Sequence, residues 1–338
     1  MTNRYSRQVL FSDIGEKGQK LIRSSKVVLI GCGALGSVSA EMLTRAGVGQ
    51  LRLVDRDFVE KSNLQRQSLF TEEHVSQGIP KSVAATSALR AINSEINIEG
   101  VTADATWQNI ETLCQNYDII VDGTDNFETR FLINDVAIKH DIPWAYGACV
   151  GSYGLAFTFT PGTSACLQCL FKGPPAIGTS ETCDTVGILA PVVHIIASYQ
   201  VTQVLKILTG QPPSEQILRI DIWNDTWQTS GTQGADNTKC PCCQQRKFRF
   251  LEGQENTQMT HLCGRNAVQI SPQQTTHLNF QDLSRRLDKS GQVTFNQHMM
   301  RIRIGKYEIA LFADGRSIIR GTNDISKAKA IYAQYIGS

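Results

Sequence analysis

Residues 26–30, KVVLI, form a nearly continuous apolar run, the pattern of a strand covered on both faces. The run leads directly into Gly31-Cys-Gly33-Ala-Leu-Gly36, then into a helix-forming stretch, SVSAEMLTRAGV, then into a second apolar run, LRLVD at 51–55. Strand, glycine turn, helix and strand in that order predict the opening of a doubly wound parallel sheet. The alternation continues downstream. AATSALRAIN reads as helix, INIEGVTA as strand and TWQNIETLCQN as helix. DIIVDGTDN reads as a strand running into a polar turn, RFLINDVAIKHD as helix and IPWAYGACV as strand.

From about residue 155 the pattern is less regular. LAFTFTP predicts a strand, and a loop rich in Gly, Pro and Cys runs to about 187. Pro191–Leu208 approaches the length of a membrane span. It carries His194, Ser198, Gln200, Gln203 and Lys206, so it reads as a buried helix instead. ILRIDIW predicts a strand, followed by a polar stretch to Cys240. Composition shifts near 253–260, which reads as a linker. The last 80 or so residues give β (NAVQI), α (NFQDLSRRLDKSG), three β segments (MMRIRIG, YEIALFADG, SIIRG) and α (SKAKAIYAQYIG). The expected class is α/β: a Rossmann-like, doubly wound, mostly parallel sheet over 1–252, then a small α+β domain over 261–338. A length of 338 residues suits two domains at about 150 residues each.

Composition narrows the partners. The 33 basic and 31 acidic residues leave a net charge of +2, which offers no bulk attraction to nucleic acid or membrane. The N-terminus, MTNRYSRQVLF, lacks the apolar core of a secretory signal, so the expected location is cytoplasmic. In a reducing compartment ten cysteines point to metal or chemistry rather than disulfides.

Gly31, Gly33 and Gly36 serve a tight turn, close approach of backbone to a phosphate, and packing of helix on strand. The helix N-terminus behind them offers free N–H groups and a positive dipole end. Asp55, at the end of the next strand, has the position of a carboxylate that holds ribose hydroxyls. Asp57 belongs with it on the nucleotide side. A nicotinamide-dependent oxidoreductase would use the same turn and remains the alternative. The following stretch, DRDFVEKSNLQRQSLF, suits a triphosphate better. Arg66 supplies a planar fork for phosphate oxygens, Asn63 can orient it or contact a phosphate, and Lys81 starts a helix from which it can reach the same charge. Asp125, just past a strand end, can hold Mg²⁺ bridging phosphate oxygens. Each of these residues taken singly also reads as an exposed salt bridge or helix cap. Their recurrence at successive strand ends, where open α/β sheets bind ligands, is what gives them weight.

Cys166-Leu-Gln-Cys169 and Cys240-Pro-Cys-Cys243 form two CxxC pairs, the spacing that presents four thiolates to one tetrahedral Zn²⁺. Cys242 is a competing ligand. Four thiolates leave no open position, so such a site would be structural. Cys183 stands apart from both pairs, just before the long helix, where a thiol can be activated as a nucleophile. Cys32 reads as incidental to the turn. Cys114, Cys149 and Cys263 read as core or near-core residues, small hydrophobes, and the six histidines show no metal-ligand spacing.

RYSRQVL, VLIGCGALGS, DRDFVEKSNLQRQ, the lysine after GIP, and DGTDNFETR together resemble the adenylating core of ubiquitin-activating enzymes and of the ThiF/MoeB-type adenylyltransferases. The likeness runs in matching order over roughly 4–250. It implies ATP rather than NAD. It also implies adenylation of the C-terminal Gly-Gly of a small ubiquitin-like sulfur-carrier protein, in thiamine thiazole or molybdopterin synthesis. It further implies a homodimer in which Arg7 reaches the partner's ATP phosphates, and it selects Cys240 and Cys243 for the metal. The TCDTVG segment around Cys183 resembles the loop carrying a sulfur-handling cysteine. Arg130 would then help to place the incoming tail or a phosphate.

Overall fold

The structure, a computed structural model, describes residues 4–174, 183–232, 239–254, 261–262, 266–270, 278–288 and 291–336. It divides into two compact units, Met1–Asn256 and Thr257–Ser338.

Two short helices that the sequence pattern does not announce, α1 (Ser6–Val9) and α2 (Gly15–Ser24), open the first unit. The expected alternation follows as β1 (Lys26–Ile30), α3 (Ala34–Ala46) and β2 (Gln50–Asp55), then a 3-10 turn at Lys61–Asn63. Next come α4 (Glu72–Gln77), α5 (Lys81–Ile92), β3 (Asn97–Thr102), α6 (Ile110–Cys114), β4 (Ile119–Asp122), α7 (Phe127–Lys139) and β5 (Trp144–Val150). The unit is completed by β6 (Tyr153–Phe159), α8 (Leu167–Phe171), α9 (Cys183–Val186), α10 (Ala190–Leu208), β7 (Gln216–Asp221) and β8 (Thr226–Gly231). The eight strands form one sheet in the order β3-β2-β1-β4-β5-β6-β7-β8. The first five are parallel and the last three antiparallel. The chain winds outward from β1 to β3, then returns to lay β4 on the other side of β1. This reversal opens a crevice at the carboxyl ends of β1 and β4.

Local sequence sets the ends of these elements. Gly47 stops α3 in the left-handed conformation, φ +83°, where a Cβ would run into the Tyr5 ring. Asn126 caps α7 by accepting the Thr129 N–H. β1 is buried from Val27 to Ile30, as its apolar run requires. β8 lies within the stretch read from sequence as polar coil. Its residues, TWQTSG, are exposed on both faces, so no alternation marks it as a strand. Among the described residues no helix is long and apolar enough to cross a membrane. In α10, Gln200 is instead buried with its Nε2 donating to the carbonyls of Asp122 and Ala145 at 2.9 and 3.0 Å.

The second unit holds β9 (His261–Leu262), β10 (Ala267–Ile270), α11 (Phe280–Leu287), β11 (Gln292–Phe295), β12 (Met299–Ile304), β13 (Tyr307–Phe312), β14 (Ser317–Arg320) and α12 (Ile325–Tyr335). Its six strands make an antiparallel sheet in the order β11-β12-β13-β14-β10-β9. Val268, Ile302, Ile309, Leu311 and Ile319 pack there with Leu283 and Leu287 of α11 and Ala328 and Ile331 of α12. Cys263 and most of the expected linker lie outside the described residues.

Candidate active site and metal centre

The crevice is built first from backbone. Gly31 leaves β1 at φ +91°, a conformation open to glycine, and its N–H donates to the Val54 carbonyl at 2.7 Å. A Cβ on Gly31 would stand 2.7 Å from the Gly123 backbone, and one on Gly36 or on Gly123 would overlap the Gly31 carbonyl. The turn after β1, the first turn of α3 and the loop after β4 therefore interlock at three glycines. Gly33 occupies the N-cap position of α3 and provides no side-chain cap, so the first N–H groups of the helix are left for an anion. Gly123 lies in the DGTDNFETR segment without a role of its own in the sequence reading, although the Asp-Gly pair that ends DIIVDG marks it.

Charged residues line the next layer. Asp55, buried at the end of β2, accepts the Cys32 N–H at 2.6 Å and the Asp57 N–H at 2.7 Å. Its carboxylate thus clamps the glycine turn. Burial pushes its pKa up, and the Lys81 charge opposes that rise. Lys81 begins α5, is buried, and pairs through Nζ with Asp57 Oδ2 at 3.3 Å. Beside them Arg56 binds Asp104 at 3.1 Å. Burial works against the Arg56 charge, but Asp104, Asp57 and Asp125 together hold it more firmly than usual. Asp125 itself is exposed on the loop after β4, and its charge acts on both Arg56 and Arg130.

The remaining predicted residues divide by what they touch. Asn63 is buried and its Oδ1 accepts the Glu60 N–H at 3.0 Å, closing a capping box over the 3-10 turn. Arg66 is half-buried, with Nη1 donating to the Ser62 carbonyl at 2.9 Å. Arg130 is held inside the protein. It bonds Asp122 Oδ2 at 3.1 Å, the Thr124 carbonyl at 2.8 Å and the Gly147 carbonyl at 3.0 Å, and it lies 4.9 Å from the Tyr146 ring centroid. Asp122, the first residue of DGTDNFETR and given no role from sequence, also accepts the N–H and hydroxyl of Thr124 at 2.8 and 2.6 Å. Asp122 and Arg130 together brace the loop that presents Asp125. Arg7 is exposed on α1, and among the described residues it makes no ion pair.

Cys183 starts α9, and its thiol donates to the Cys149 carbonyl at 3.3 Å. Cys149 neighbours it, partly buried and packed against the core. The segment is pinned further: the Gly151 N–H donates to the Gly187 carbonyl at 2.8 Å and the Leu189 N–H to the Gly151 carbonyl at 2.9 Å. Cys149 and Val150 end β5, which is parallel to β4, so Cys183 belongs to the same edge of the sheet as the crevice.

The four expected sulfurs, Cys166, Cys169, Cys240 and Cys243, lie within 4.8 Å of one another. Contacts of 3.6 Å join Cys166 to Cys240 and Cys169 to Cys243, and 3.7 Å separates Cys166 from Cys169. Tetrahedral zinc with Zn–S of about 2.3 Å requires sulfurs about 3.8 Å apart, so the donor set fits that ion. Cys242 is not one of the four; its sulfur accepts from Asn134 Nδ2 at 3.2 Å and its thiol donates to Asp135 Oδ1 at 3.3 Å. Phe159, which ends β6, pairs with Trp144, which begins β5. The strand therefore delivers the chain toward Cys166 at the edge of the sheet opposite the crevice.

These features define an α/β protein with an anion-ready crevice at the switch point of its sheet and a remote four-sulfur cluster fitted to a metal. The profile of the ThiF family matches residues 5–242, and the chain belongs to that family. It is 46% identical over 338 residues, 100% of both chains, to the sulfur carrier protein ThiS adenylyltransferase of Bacillus subtilis (strain 168). It is 35% identical over 243 residues to the SAMP-activating enzyme E1 of Haloferax volcanii, covering 71% of this chain and 88% of that one. Among solved structures it resembles E. coli MccB with ATP, with a TM-score of 0.62 at 22% identity over 71% of this chain and 74% of that one. The last likeness concerns the fold.

Proposed function

We propose that the protein uses ATP to adenylate the C-terminal glycine carboxylate of a small ubiquitin-like sulfur carrier. The observation that carries this reading is the switch-point crevice. One wall is a glycine turn and an uncapped helix end, the other is the Asp125 loop, and Lys81 lies beneath. A terminal carboxylate, with a pKa of about 3.3–3.7, is ionised at neutral pH and needs no general base. It attacks the α-phosphorus of ATP, the bond to the β-phosphate oxygen breaks, and pyrophosphate leaves an acyl-adenylate. The barrier is the approach of an anion to a polyanion, so catalysis rests on positioning and charge. The N–H groups of α3 hold phosphate, and Lys81 and Arg66 offset its charge. Asp125 would hold Mg²⁺, which when bound neutralises phosphate oxygens. The zinc at the four cysteines would be structural, and the second unit would fold as a separate α+β domain.

The protein is read as a cytosolic homodimer, with Arg7 extending from its exposed helix to the partner's phosphates. Full-length similarity to a ThiS adenylyltransferase favours a ThiS-like carrier and thiazole synthesis, with Cys183 as the thiol for sulfur transfer. ATP–pyrophosphate exchange with purified carriers ending in Gly-Gly tests the reading. Zinc-loaded protein should exchange label only when a carrier is present. No exchange with either a ThiS-like or a MoaD-like carrier would refute it.

A further inference from the structure

Two thiols outside the metal centre lie side by side. Among the described cysteines beyond the four-sulfur cluster, Cys32, Cys114 and Cys242 are buried, while Cys149 and Cys183 are partly exposed. The Cys183 thiol meets the Cys149 carbonyl at 3.3 Å. A carbonyl oxygen lies about 2.4 Å from its own Cα, so the Cys183 sulfur is no further than about 5.7 Å from the Cys149 Cα. A disulfide holds its two Cα atoms about 4.4–6.8 Å apart, so rotation of the two side chains brings the sulfurs together. The main chains around them are already tied, by the Gly151 N–H to the Gly187 carbonyl and the Leu189 N–H to the Gly151 carbonyl. A bond between the sulfurs therefore needs no movement of one segment past the other. The Cys149 thiol is held loosely, by the Val192 carbonyl at 3.9 Å. A thiol placed against a reactive one in this way is positioned to exchange with whatever that thiol carries.

We propose that Cys149 is the resolving thiol for Cys183, discharging a sulfur-bound group from it by closing a Cys149–Cys183 disulfide. This rests on the reading of Cys183 as a reacting thiol and adds a second residue to that step. When Cys183 carries a group as a mixed disulfide, the Cys149 thiol gives its proton to water and its sulfur attacks that of Cys183. The bond between the two cysteines forms and the bond to the group breaks. The group leaves with the electron pair as a thiolate and takes up a proton. A dithiol reductant then reduces the intrachain disulfide, becoming a disulfide itself and restoring both thiols. Burial, followed by the Cys183 thiol, raises the Cys149 pKa, with Arg130 opposing the rise. Resolution is therefore slow at neutral pH and quickens as pH rises, which leaves a loaded Cys183 time to react elsewhere first.

The test treats the full-length, zinc-loaded protein with the aromatic disulfide dithiobis(nitrobenzoate), without ATP or carrier, and maps peptides without reduction. In the wild type the adduct on Cys183 should be transient and give way to a linked pair of peptides holding Cys149 and Cys183. In Cys149→Ser and Cys149→Ala the adduct should last at least about tenfold longer. The wild-type adduct should decay about tenfold faster for each pH unit from roughly 7 to 9, following the thiolate fraction of a group that titrates higher still. A lasting Cys183 adduct with no linked peptides in the wild type overturns the proposal, and this result needs no variant to fold. So does an adduct that decays at the wild-type rate in folded Cys149→Ser, or a decay indifferent to pH. A Cys183 that takes neither adduct nor link fails as a reacting thiol, and the proposal falls with it. Absence of carrier-dependent ATP–pyrophosphate exchange is a separate failure, of the adenylation reading alone.

Discussion

Replacing Asp122 with asparagine isolates the buried ion pair under the Asp125 loop. Asp122 is fully buried and Arg130 is 5% exposed, and they meet at 3.1 Å. Asp122→Asn keeps the shape and leaves a guanidinium enclosed without its counter-charge. Breaking a buried pair from one side costs about 3–5 kcal/mol. For a unit of about 250 residues that corresponds to a fall in unfolding midpoint of roughly 6–20 °C. Unfolding followed by intrinsic fluorescence suits the measurement, since Trp144 is buried 5.9 Å from Tyr146, whose ring lies against Arg130. Arg130→Met removes the other partner and should behave differently with pH. Burial already raises the Asp122 pKa, and Arg130 is the main force opposing the rise. Without the arginine the folded state holds the proton to higher pH than the unfolded chain does. Stability of Arg130→Met should therefore fall as pH rises above the ordinary carboxylate range, and Asp122→Asn should lack this dependence. The double variant, with no buried charge left, should regain at least about 2 kcal/mol relative to the sum of the singles. A midpoint within 2 °C of wild type for Asp122→Asn, or simple additivity in the double variant, would refute the brace.

Three further outcomes follow from the same geometry. Gly36→Ala places a methyl against the Gly31 carbonyl and should cost about 1–3 kcal/mol while reducing ATP affinity, measured by denaturant unfolding and ATP titration. Cys240→Ser, or prolonged chelation, should release one equivalent of zinc by atomic absorption and lower the melting temperature, while the remaining folded protein keeps its ATP affinity. Glu111 is a pH probe away from the site, because hydrogen bonding from Lys139, followed by His140, lowers its pKa. The stabilisation is present above the free carboxylate's range and lost as pH falls through the lowered value. Glu111→Gln should cost no more than about 1 kcal/mol at pH 7 and progressively less as the medium is acidified, by urea unfolding.

The sequence displayed those parts of the site that depend on local spacing. The glycine turn, the apolar run of β1 and each CxxC pair are marked by residues a few positions apart, and the fold brings the two pairs together across 74 residues. Features made by distant segments were hidden. Gly123 matters because α3 and the Gly31 carbonyl press on it from more than 85 residues away. Arg130 looked like a substrate contact because only the fold reveals Asp122, Gly147 and Tyr146 around it. β8 failed for a different reason: an edge strand exposed on both faces has no buried side to leave a pattern.

The reversal of direction between β5 and β6 puts the four sulfurs at the far end of the sheet from the crevice. β5 has seven residues, so about 20 Å of strand lies between the two ends. At such a separation the energies of substitutions usually add within about 0.3–0.5 kcal/mol. Substitutions at the sulfur end and at the nucleotide end should thus combine without epistasis. The metal end of the molecule can be reinforced or exchanged while the catalytic end is left as it was.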